Sequence, residues 1–477
     1  GPPPPNTSAR DGWAGRAAAG AQATSHATKP QPAHAACMPH GNILGMLPKD
    51  LNDLITRTDR GTTMGELMRR YWLPALLSEE IPEPDCPPAQ VRLLGEQLVA
   101  FRDSQGRIGL LEEHCMHRGT SLFYGRNEEC GLRCIYHGWK YDVEGRVLDT
   151  PAEPAGSNFK DKLRHVAYPT LETCGIIWAY LGPPEKQPPF PHFYWMDLPP
   201  NHTYVTKCLQ ECNYLQGLEG ECDSSHLSFL HREFSMQGEQ QLYAMDSAPA
   251  YEIEETDFGL RMIATRKAPE GKNYVRVSSF VMPSGCFIPA RNKEFHIYIP
   301  ADDTHSWRYD FGWFVDREAR PEDVNRRPEI GPDYRRLRRP DNHYLQDREV
   351  QRTQTFTGIE NFLNHDSCAT ETMGLLYDRT REHLGVSDKA VITVRRRLID
   401  AAQAFAGGHE PPMPAVSESV VLSHIDTISE LVPAGVHWRE QFPHLQLRLS
   451  EPAQAVPLPP RRERLGEGTT SPTSARP

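Results

Sequence analysis

The length, composition and charge of the chain exclude several classes of protein. The chain has 477 residues, which predicts two to four domains and a core large enough to need no disulfide bonds. Its net charge is −11, from 52 Lys and Arg against 63 Asp and Glu. This argues against a nucleic-acid-binding protein, which needs a basic surface. No apolar stretch approaches the roughly 18–20 residues of a membrane span, so no membrane insertion is expected. The eleven cysteines lack the regular spacing of a disulfide framework, which favours a cytoplasmic protein.

Proline-rich composition marks both ends of the chain and one internal connection. Residues 1–37 contain few large apolar side chains, and we predict a disordered extension over 1–47, with Met38 as the expected natural start. The stretch from Glu451 is rich in Pro, Arg and Ser, which predicts a disordered tail over 451–477. Seven prolines among the eighteen residues 183–200 indicate a connection between domains.

A helix and then a series of short strands are predicted for the first ordered part of the chain. Thr63 and Glu66 have the spacing of a capping box, which predicts a helix that runs to about Tyr71 and ends before Pro74. We expect this segment, residues 48–73, to pack on the second domain. The short apolar runs that follow predict an all-β domain over 74–185. The predicted strands are Val91–Leu94, Gln97–Arg102, Ile108–Glu112, Trp139–Val143, Val147–Asp149 and Ile176–Leu181.

The second domain, predicted over 186–450, mixes helices with an antiparallel meander. A helix is expected around Leu215–Phe229, and a long helix capped by Ser387 is expected near the end. The apolar residues on one face of that last helix are Val391, Val394, Leu398, Ala402 and Phe405. The predicted strands of the meander are Tyr251–Glu255, Leu260–Arg266, Tyr274–Val281, Glu294–Ile299 and Trp307–Val315.

Two pairs of Cys and His lie in the all-β region with the spacing of a metal centre. Cys115-x-His117 is followed, after sixteen residues, by Cys134-x-x-His137. Thiolates favour the ferric iron of a cluster, and imidazoles on its second iron raise the reduction potential. A zinc site could use the same ligands, but zinc fingers more often pair Cys with Cys and His with His. Unrelated core cysteines and surface histidines would require a coincidence of four residues. The pattern predicts a Rieske [2Fe–2S] cluster.

A second set of candidate ligands lies in the mixed domain. His226 and His231 are five residues apart, and Asp223 precedes the first by three. On an ideal helix, Asp223 and His226 share a face, whereas His231 lies about 140° around from His226. Both imidazoles can therefore bind one metal only if the helix is widened or broken between them. Two His and one carboxylate form the facial triad of non-haem Fe(II), which leaves positions open for O₂.

The spacing alone leaves the carboxylate ligand open. Asp366 is the distant candidate, with Glu360 and Glu371 as rivals, and Asp223 itself would make a local site with the two histidines. The alternative without a metal is that both histidines lie on the surface of an amphipathic helix. The cluster motif in the same chain disfavours this alternative.

The motifs together resemble those of ring-hydroxylating oxygenase α subunits. The cluster loops, including residues 117–119 (HRG) and 136–140 (YHGWK), are similar to the Rieske domain of these proteins. The two histidines, the distant Asp366 and residues 371–374 (ETMG) resemble the phthalate dioxygenase-like branch, and the likeness covers about residues 50–410. The chain departs from the family at Met116, where Pro is usual, and from the branch at His365, where Gln is common.

The resemblance implies a fold, two cofactors and a set of roles. The fold is α+β: an all-β Rieske [2Fe–2S] domain followed by a helix-grip-like antiparallel sheet catalytic domain with helices. The implied cluster ligands are Cys115, His117, Cys134 and His137, and the implied ligands of the mononuclear Fe(II) are His226, His231 and Asp366. Two residues are expected to have catalytic roles: Asp223, which bridges the two metal centres, and Glu219, one turn earlier, which supports the iron site. A merely solvated helix face is the alternative for Glu219.

The resemblance also implies partners. No nicotinamide or flavin fingerprint is present, so electrons are expected from a separate NAD(P)H-dependent flavin and iron–sulfur reductase that docks near Trp139. A head-to-tail homotrimer, alone or stacked in pairs, is expected to bring His137 of one subunit to Asp223 of the next.

The expected function is hydroxylation of an aromatic ring with O₂, the substrate being a phthalate- or benzoate-like acid. Monooxygenation and O-demethylation of an aromatic methyl ether is the alternative within the class. A non-catalytic Rieske electron-transfer protein with a ligand-binding domain is the alternative outside it. Arginines of the predicted meander could clamp a carboxylate, but each of the four is expected to be an exposed strand charge instead: Arg261, Arg266, Arg276 and Arg291.

Overall fold

The computed structural model describes residues 46–154, 156–289, 293–324, 329–412, 422 and 425–445. Residues 1–45 of the predicted extension, the whole predicted tail and Arg291 lie outside this part of the chain. No described helix is both long enough and apolar enough to cross a bilayer.

Two short helices open the described chain. They are α1 (Lys49–Thr56) and α2 (Thr63–Met68), and the residue that caps α2 is Thr62 rather than Thr63, because the Thr62 hydroxyl accepts from the Gly65 amide. The helix also ends earlier than predicted. Pro74 does not terminate it but lies within the next strand, which is at the edge of its sheet, where a missing N–H is tolerated.

Three antiparallel sheets follow in the first part of the chain. Their strands are β1 (Trp72–Leu77), β2 (Ala89–Leu93), β3 (Glu96–Arg102), β4 (Ile108–Glu112), β5 (Arg126–Glu128), β6 (Gly131–Arg133), β7 (Lys140–Tyr141), β8 (Val147–Asp149), β9 (Thr170–Thr173) and β10 (Ile176–Tyr180). The sheet orders are β1-β10-β9, β2-β3-β4 and β5-β6-β7-β8. All six predicted strands are present within one or two residues, except that β7 is shorter than predicted.

An eight-stranded antiparallel sheet forms the second part. Its strands are β11 (Thr203–Gln210), β12 (Ala250–Glu255), β13 (Gly259–Ala268), β14 (Lys272–Val281), β15 (Gly285–Pro289), β16 (Lys293–Asp302), β17 (His305–Trp313) and β18 (Ile428–Pro433). The order is β11-β17-β16-β15-β14-β13-β12, and β18 pairs with the first half of β14. Sequence patterning missed β11, β15 and β18. β15 is buried on both faces and so has no alternation, and β18 joins the sheet from far along the chain.

Seven further α-helices lie in the described residues after β11. They are α3 (Tyr214–Cys222), α4 (Glu239–Met245), α5 (Pro321–Val324), α6 (Arg348–Thr353), α7 (Phe362–Glu371), α8 (Lys389–Ala406) and α9 (Trp438–Gln441). α8 buries the predicted apolar face, with Phe405 partly buried, and begins after Asp388 rather than Ser387. α1 packs on α3, where the Tyr214 hydroxyl donates to the Ile55 carbonyl at 2.7 Å. These elements confirm the predicted α+β class, and the candidate site lies in the segment after α3 and on α7.

Candidate metal centres

The two cluster loops share one backbone design. The amide of Gly119 donates to the carbonyl of Cys115 at 2.8 Å, and the amide of Gly138 donates to that of Cys134 at 3.1 Å. Both glycines have a positive φ, 76° and 75°, a conformation that side chains disfavour. Each loop thus turns back on its cysteine, which brings the following histidine to the same end of the domain.

The four predicted cluster ligands lie together at this end. The thiols of Cys115 and Cys134 are buried, and the ring centroids of His117 and His137 are 4.5 Å apart. Burial raises the pKa of the Cys115 thiol, while the Tyr141 hydroxyl, 3.0 Å from its sulfur, opposes the rise. Two buried sulfurs beside two paired imidazoles fit the donor set of a Rieske cluster.

Trp139 does not have the exposed position predicted for it. Its ring stacks on that of His117, with centroids 4.6 Å apart and planes at 2°, and the residue is only 5% exposed. It therefore packs against a cluster loop and contributes little exposed surface of its own. The apolar side chains that are exposed in and around the loops are instead Met116, Tyr124, Ile135, Tyr136 and Phe159.

The helix that precedes His226 and His231 ends before the first of them, rather than breaking between them as the spacing predicted. α3 ends at Cys222, and Asp223 has extended backbone angles. His226 then begins a single 3₁₀ turn, and His231 follows beyond it. The predicted helix over Leu215–Phe229 is therefore too long, because the chain leaves the helical path before the first histidine.

His226, His231 and Asp366 converge in the folded chain. One ligand atom of each lies within 4.8 Å of those of the other two. Asp366 Oδ1 is 3.0 Å from His231 Nε2 and 3.8 Å from His226 Nε2. His231 Nε2 is buried and, despite that short distance, has no hydrogen-bond partner among the described residues. An unsatisfied buried nitrogen beside a carboxylate and a second imidazole fits a 2-His-1-carboxylate iron site.

The protonation states of His231 and Asp366 follow from burial and from their mutual interaction. Burial lowers the pKa of His231 to about 4, although Asp366 acts in the opposite direction. Burial alone would raise the pKa of Asp366, but His231 and His226 lower it below its usual value. Neutral imidazole and ionised carboxylate are the forms in which these groups bind a metal.

Asp223 lies outside this group of three. Its Oδ2 is 3.6 Å from Nδ1 of His226, and its Oδ1 accepts from the Ser225 amide at 2.7 Å and from the Tyr251 hydroxyl at 3.3 Å. The carboxylate thus lies beside the ring nitrogen that does not face Asp366. This is the position of a group that orients a ligand, and it disfavours the local Asp–His–His site.

The rival carboxylates are engaged elsewhere. Glu360 is exposed and pairs with Arg338 at 2.7 Å. Glu371 accepts from the Tyr344 hydroxyl at 2.6 Å and from the Glu211 amide at 3.1 Å. Neither is grouped with the two histidines, so the geometry favours Asp366, whose role as a ligand remains a prediction.

Glu219 is neither on a solvated face nor in contact with the candidate ligands. Its carboxylate is 11% exposed, pairs with Arg379 at 2.9 Å and with Arg395 at 2.6 Å, and does not line the cavity described below. The solvated-face alternative is therefore wrong. No contact of Glu219 supports the predicted catalytic role, and the ion pairs point to a structural one.

A cavity of about 540 Å³ opens beside the candidate iron ligands. Both His226 and Asp366 line it, together with a buried ion network that the sequence did not reveal. In that network Glu221 lies 3.0 Å from His296 and 3.1 Å from Arg308. Burial alone would lower the pKa of His296, but Glu221 and Asp310 raise it to about 9. The only sequence signal was the presence of charged residues within the apolar strands β16 and β17.

The arginines of the meander are less exposed than predicted. Arg261 and Arg266 are 2% and 0% exposed, which corrects the expectation of surface charges. Arg261 pairs with Glu254, and Arg266 donates to the carbonyl of Ser224 at 2.5 Å. Arg276 is half-buried and lines the cavity.

Two known families match successive parts of the chain. Residues 71–168 match the family described as Rieske [2Fe-2S] domain, and residues 179–453 match the one described as LigXa C-terminal domain like. The first match contains both cluster loops, and the second contains His226, His231 and Asp366.

Three similar proteins each match more than four fifths of the chain. The oxygenase subunit of phthalate 4,5-dioxygenase from Pseudomonas putida is 38% identical over 83% of this chain and 94% of its own. The oxygenase subunit of 3-chlorobenzoate-3,4-dioxygenase from Comamonas testosteroni is 35% identical over 83% and 98%. The oxygenase subunit of 5,5'-dehydrodivanillate O-demethylase from a Sphingobium species is 30% identical over 81% and 89%.

The fold has a counterpart among solved structures. Dicamba monooxygenase bound to dicamba superposes with a TM-score of 0.52 at 18% identity, over 71% of this chain and 98% of that one. The chain belongs to the Rieske non-haem iron oxygenases, which confirms the resemblance, the class of enzyme and the Rieske-plus-catalytic architecture. It also confirms the two predicted cofactors, a Rieske [2Fe–2S] cluster and a mononuclear non-haem iron.

Proposed function

We propose that the chain is an oxygenase component that hydroxylates the ring of an aromatic carboxylate with O₂. Cys115, His117, Cys134 and His137 hold the cluster in this proposal, and His226, His231 and Asp366 hold the iron. The observation that carries it is the convergence of the last three residues, two of which line a cavity of about 540 Å³. That volume lies in the range of small-molecule sites. Iron and cluster supply O₂ activation and single electrons when bound.

The protein's own residues orient the ligands and the substrate. The carboxylate of Asp223 favours a hydrogen on Nδ1 of His226, which leaves Nε2 with a lone pair on the side of Asp366. Tyr251 and Ser225 hold that carboxylate in place. Apolar and aromatic residues of the cavity bind the ring and exclude water from the face next to the ligands: Leu227, Tyr243, Met262, Ile288 and Phe362.

An anionic substrate is supported by two observations. The relatives from Pseudomonas putida and Comamonas testosteroni are named for phthalate and 3-chlorobenzoate, which are aromatic acids. The cavity of this chain is lined by three cationic side chains, Arg276, Arg308 and His296. Charge-assisted hydrogen bonds from such groups bind a carboxylate and fix the position of the ring. Arg308 and His296 belong to the Glu221 network, and Arg276, which donates to the Tyr274 hydroxyl at 3.3 Å, is the third cationic side chain at the cavity.

O-demethylation of an aromatic methyl ether is the second candidate. It is supported by the likeness to the dehydrodivanillate O-demethylase subunit. Oxygen uptake with a reductase, NADH and a panel of aromatic acids and methyl ethers separates the candidates by product. A ring diol or phenol supports hydroxylation, and formaldehyde with the free phenol supports demethylation. No product from any compound of the panel would contradict both candidates.

The partners and the organisation of the chain are part of the proposal. The likeness to oxygenase subunits of multicomponent systems supports a separate reductase. We further propose a cytoplasmic homotrimer, single or stacked, whose chains comprise the helical segment 48–73, the Rieske domain 74–185 and the catalytic domain 186–450. Within it, Asp223 connects the iron site to the cluster of the neighbouring subunit.

Mixed trimers of Cys134→Ser and Asp366→Ala chains should then recover part of the activity that each lacks alone. No recovery in verified mixed trimers would refute transfer between subunits.

A further inference from the structure

His365 lies next to Asp366 on α7 and contacts the other end of the His231 ring. The Nδ1 atoms of His365 and His231 are 3.2 Å apart. Nε2 of His365 is 2.7 Å from the carbonyl oxygen of Ile359. Both imidazoles are buried, at 6% and 3% exposure, so water does not compete strongly for these contacts. Three groups therefore form a chain of two hydrogen bonds that ends at a candidate iron ligand.

The direction of each hydrogen bond follows from the chemistry of its two ends. A carbonyl oxygen can only accept, so Nε2 of His365 carries the hydrogen of that bond. In a neutral ring the other nitrogen, Nδ1, is then bare and accepts. His231 must donate to it through its own Nδ1, and its Nε2 keeps a free lone pair. If His365 instead donated through Nδ1, its ring would carry a hydrogen on both nitrogens and therefore a positive charge. A neutral His231 would then carry its hydrogen on Nε2.

We propose that His365 is a positioning residue that sets the tautomer of His231 for metal binding before iron arrives. The carbonyl of Ile359 fixes the tautomer of His365, and His365 in turn fixes that of His231. The lone pair that results lies on Nε2, the buried atom that is 3.0 Å from Asp366 Oδ1. In this proposal the hydrogen bond to His365 outweighs the attraction of the Asp366 carboxylate for a hydrogen on Nε2. The proposal rests on the proposed function, because it takes Nε2 of His231 as an iron ligand.

The orientation of the His231 ring is restrained as well as its tautomer. Phe362 stacks on it, with centroids 3.5 Å apart and planes at 8°. Stacking defines the plane of the ring, and the hydrogen bond to His365 defines its rotation within that plane. Phe362, His365 and Asp366 all belong to the first turns of α7. A single helix thus supplies one candidate ligand and both groups that aim a second ligand.

Neutron diffraction tests the tautomers directly in the wild-type protein. Crystals of the protein with its cluster intact and its mononuclear iron removed by a chelator would be exchanged into D₂O. We expect deuterium on Nδ1 of His231 and on Nε2 of His365, and none on Nε2 of His231. Deuterium on Nε2 of His231, or on Nδ1 of His365, would overturn the proposal. This readout does not depend on activity or on the folding of any variant.

Fe(II) affinity of variants tests the consequence. His365→Leu removes the acceptor for His231 and should weaken binding about 10–100-fold, the usual effect of losing such an outer partner. His365→Gln supplies an amide oxygen as acceptor and an N–H as donor, so it should bind Fe(II) nearly as well as wild type. His165→Leu is the matched control, because His165 is also buried with Nε2 on a backbone carbonyl, that of Glu112 at 2.8 Å, but lies in the cluster domain. It should leave the Fe(II) affinity unchanged.

The outcomes separate this proposal from the proposed function. A His365→Leu protein that binds Fe(II) as tightly as wild type, or a His365→Gln protein as weak as His365→Leu, would overturn the role of His365. A wild-type protein that binds no Fe(II) at this site, yet shows the expected deuterium positions, would refute the proposed function and leave the assignment of the tautomers intact.

Discussion

The two candidate metal centres are built in different ways. The cluster loops are two short turns of one small domain, each closed on its own cysteine by an amide of glycine, and His117 is exposed. The iron group joins a turn after α3 to α7, and the imidazole of His231 is buried beside a cavity. A centre that exchanges electrons gains from a surface position, whereas a centre that activates O₂ gains from a controlled, largely apolar approach. The comparison predicts that the two centres can be removed separately.

The largest effect is expected from the carboxylate that completes the iron group. Asp366→Ala should abolish oxygenation and lose the mononuclear iron, while the visible spectrum of the cluster persists because none of the proposed cluster ligands belongs to α7. Glu360→Ala is the matched control, since Glu360 is a rival on the same segment but is exposed. Turnover and iron content should both remain near wild type in the control. An unchanged iron content in Asp366→Ala would show that another carboxylate is the ligand.

A smaller effect is expected from the carboxylate that lies beside the ring of His226. Asp223→Asn keeps an acceptor for the Ser225 amide but removes the negative charge next to Nδ1 of His226. Both metal centres should therefore remain, and the reduced cluster should reoxidise very slowly with substrate and O₂. Stopped-flow absorption of the cluster measures that rate. Loss of the mononuclear iron would instead favour Asp223 as a ligand.

Glu219 should matter for stability more than for chemistry. Glu219→Gln leaves Arg379 and Arg395 without a buried carboxylate that both contact, and losing one partner of a buried ion pair costs about 3–5 kcal/mol. Urea unfolding measures this cost, with Glu349→Gln as the control because its pair with Arg352 is exposed. The control should change the free energy of unfolding by less than about 1 kcal/mol. A large loss of kcat in folded Glu219→Gln protein with normal iron content would restore the predicted catalytic role.

The smallest effect is expected in the pH dependence of stability, through the ion network of the cavity. His296 has a pKa of about 9 in the folded chain, above the ordinary value of 6.5. Its contribution to stability is therefore fully present below pH 6.5 and is lost as the pH rises through about 9. The thermal midpoint of wild type should fall more over this window than that of His296→Gln. Equal slopes in the two proteins would show that the charge of His296 does not stabilise the fold.

The same difference between the two regions explains how much of each metal centre could be predicted from the sequence. Both cluster loops are local, so the spacing of Cys115, His117, Cys134 and His137 was enough to propose them. The spacing also predicted that a regular helix could not carry both histidines, but the helix ends before His226 rather than between the two. Asp366 was chosen by resemblance, because nothing near it in the sequence ties it to the histidines. The network of Glu221, His296 and Arg308 was missed, since it depends on the register of β16 and β17 and on how α3 packs across them.

Iron content measured beside the cluster spectrum tests the central claim, that one chain holds two separable iron centres with different ligands. Wild type should contain about three iron atoms per chain, two in the cluster and one at the His–His–Asp group. Cys134→Ser should lose the cluster absorption and two irons, yet still bind one Fe(II) tightly when it is added anaerobically. A wild-type chain with two irons only, or a Cys134→Ser chain that binds no Fe(II), would contradict the account.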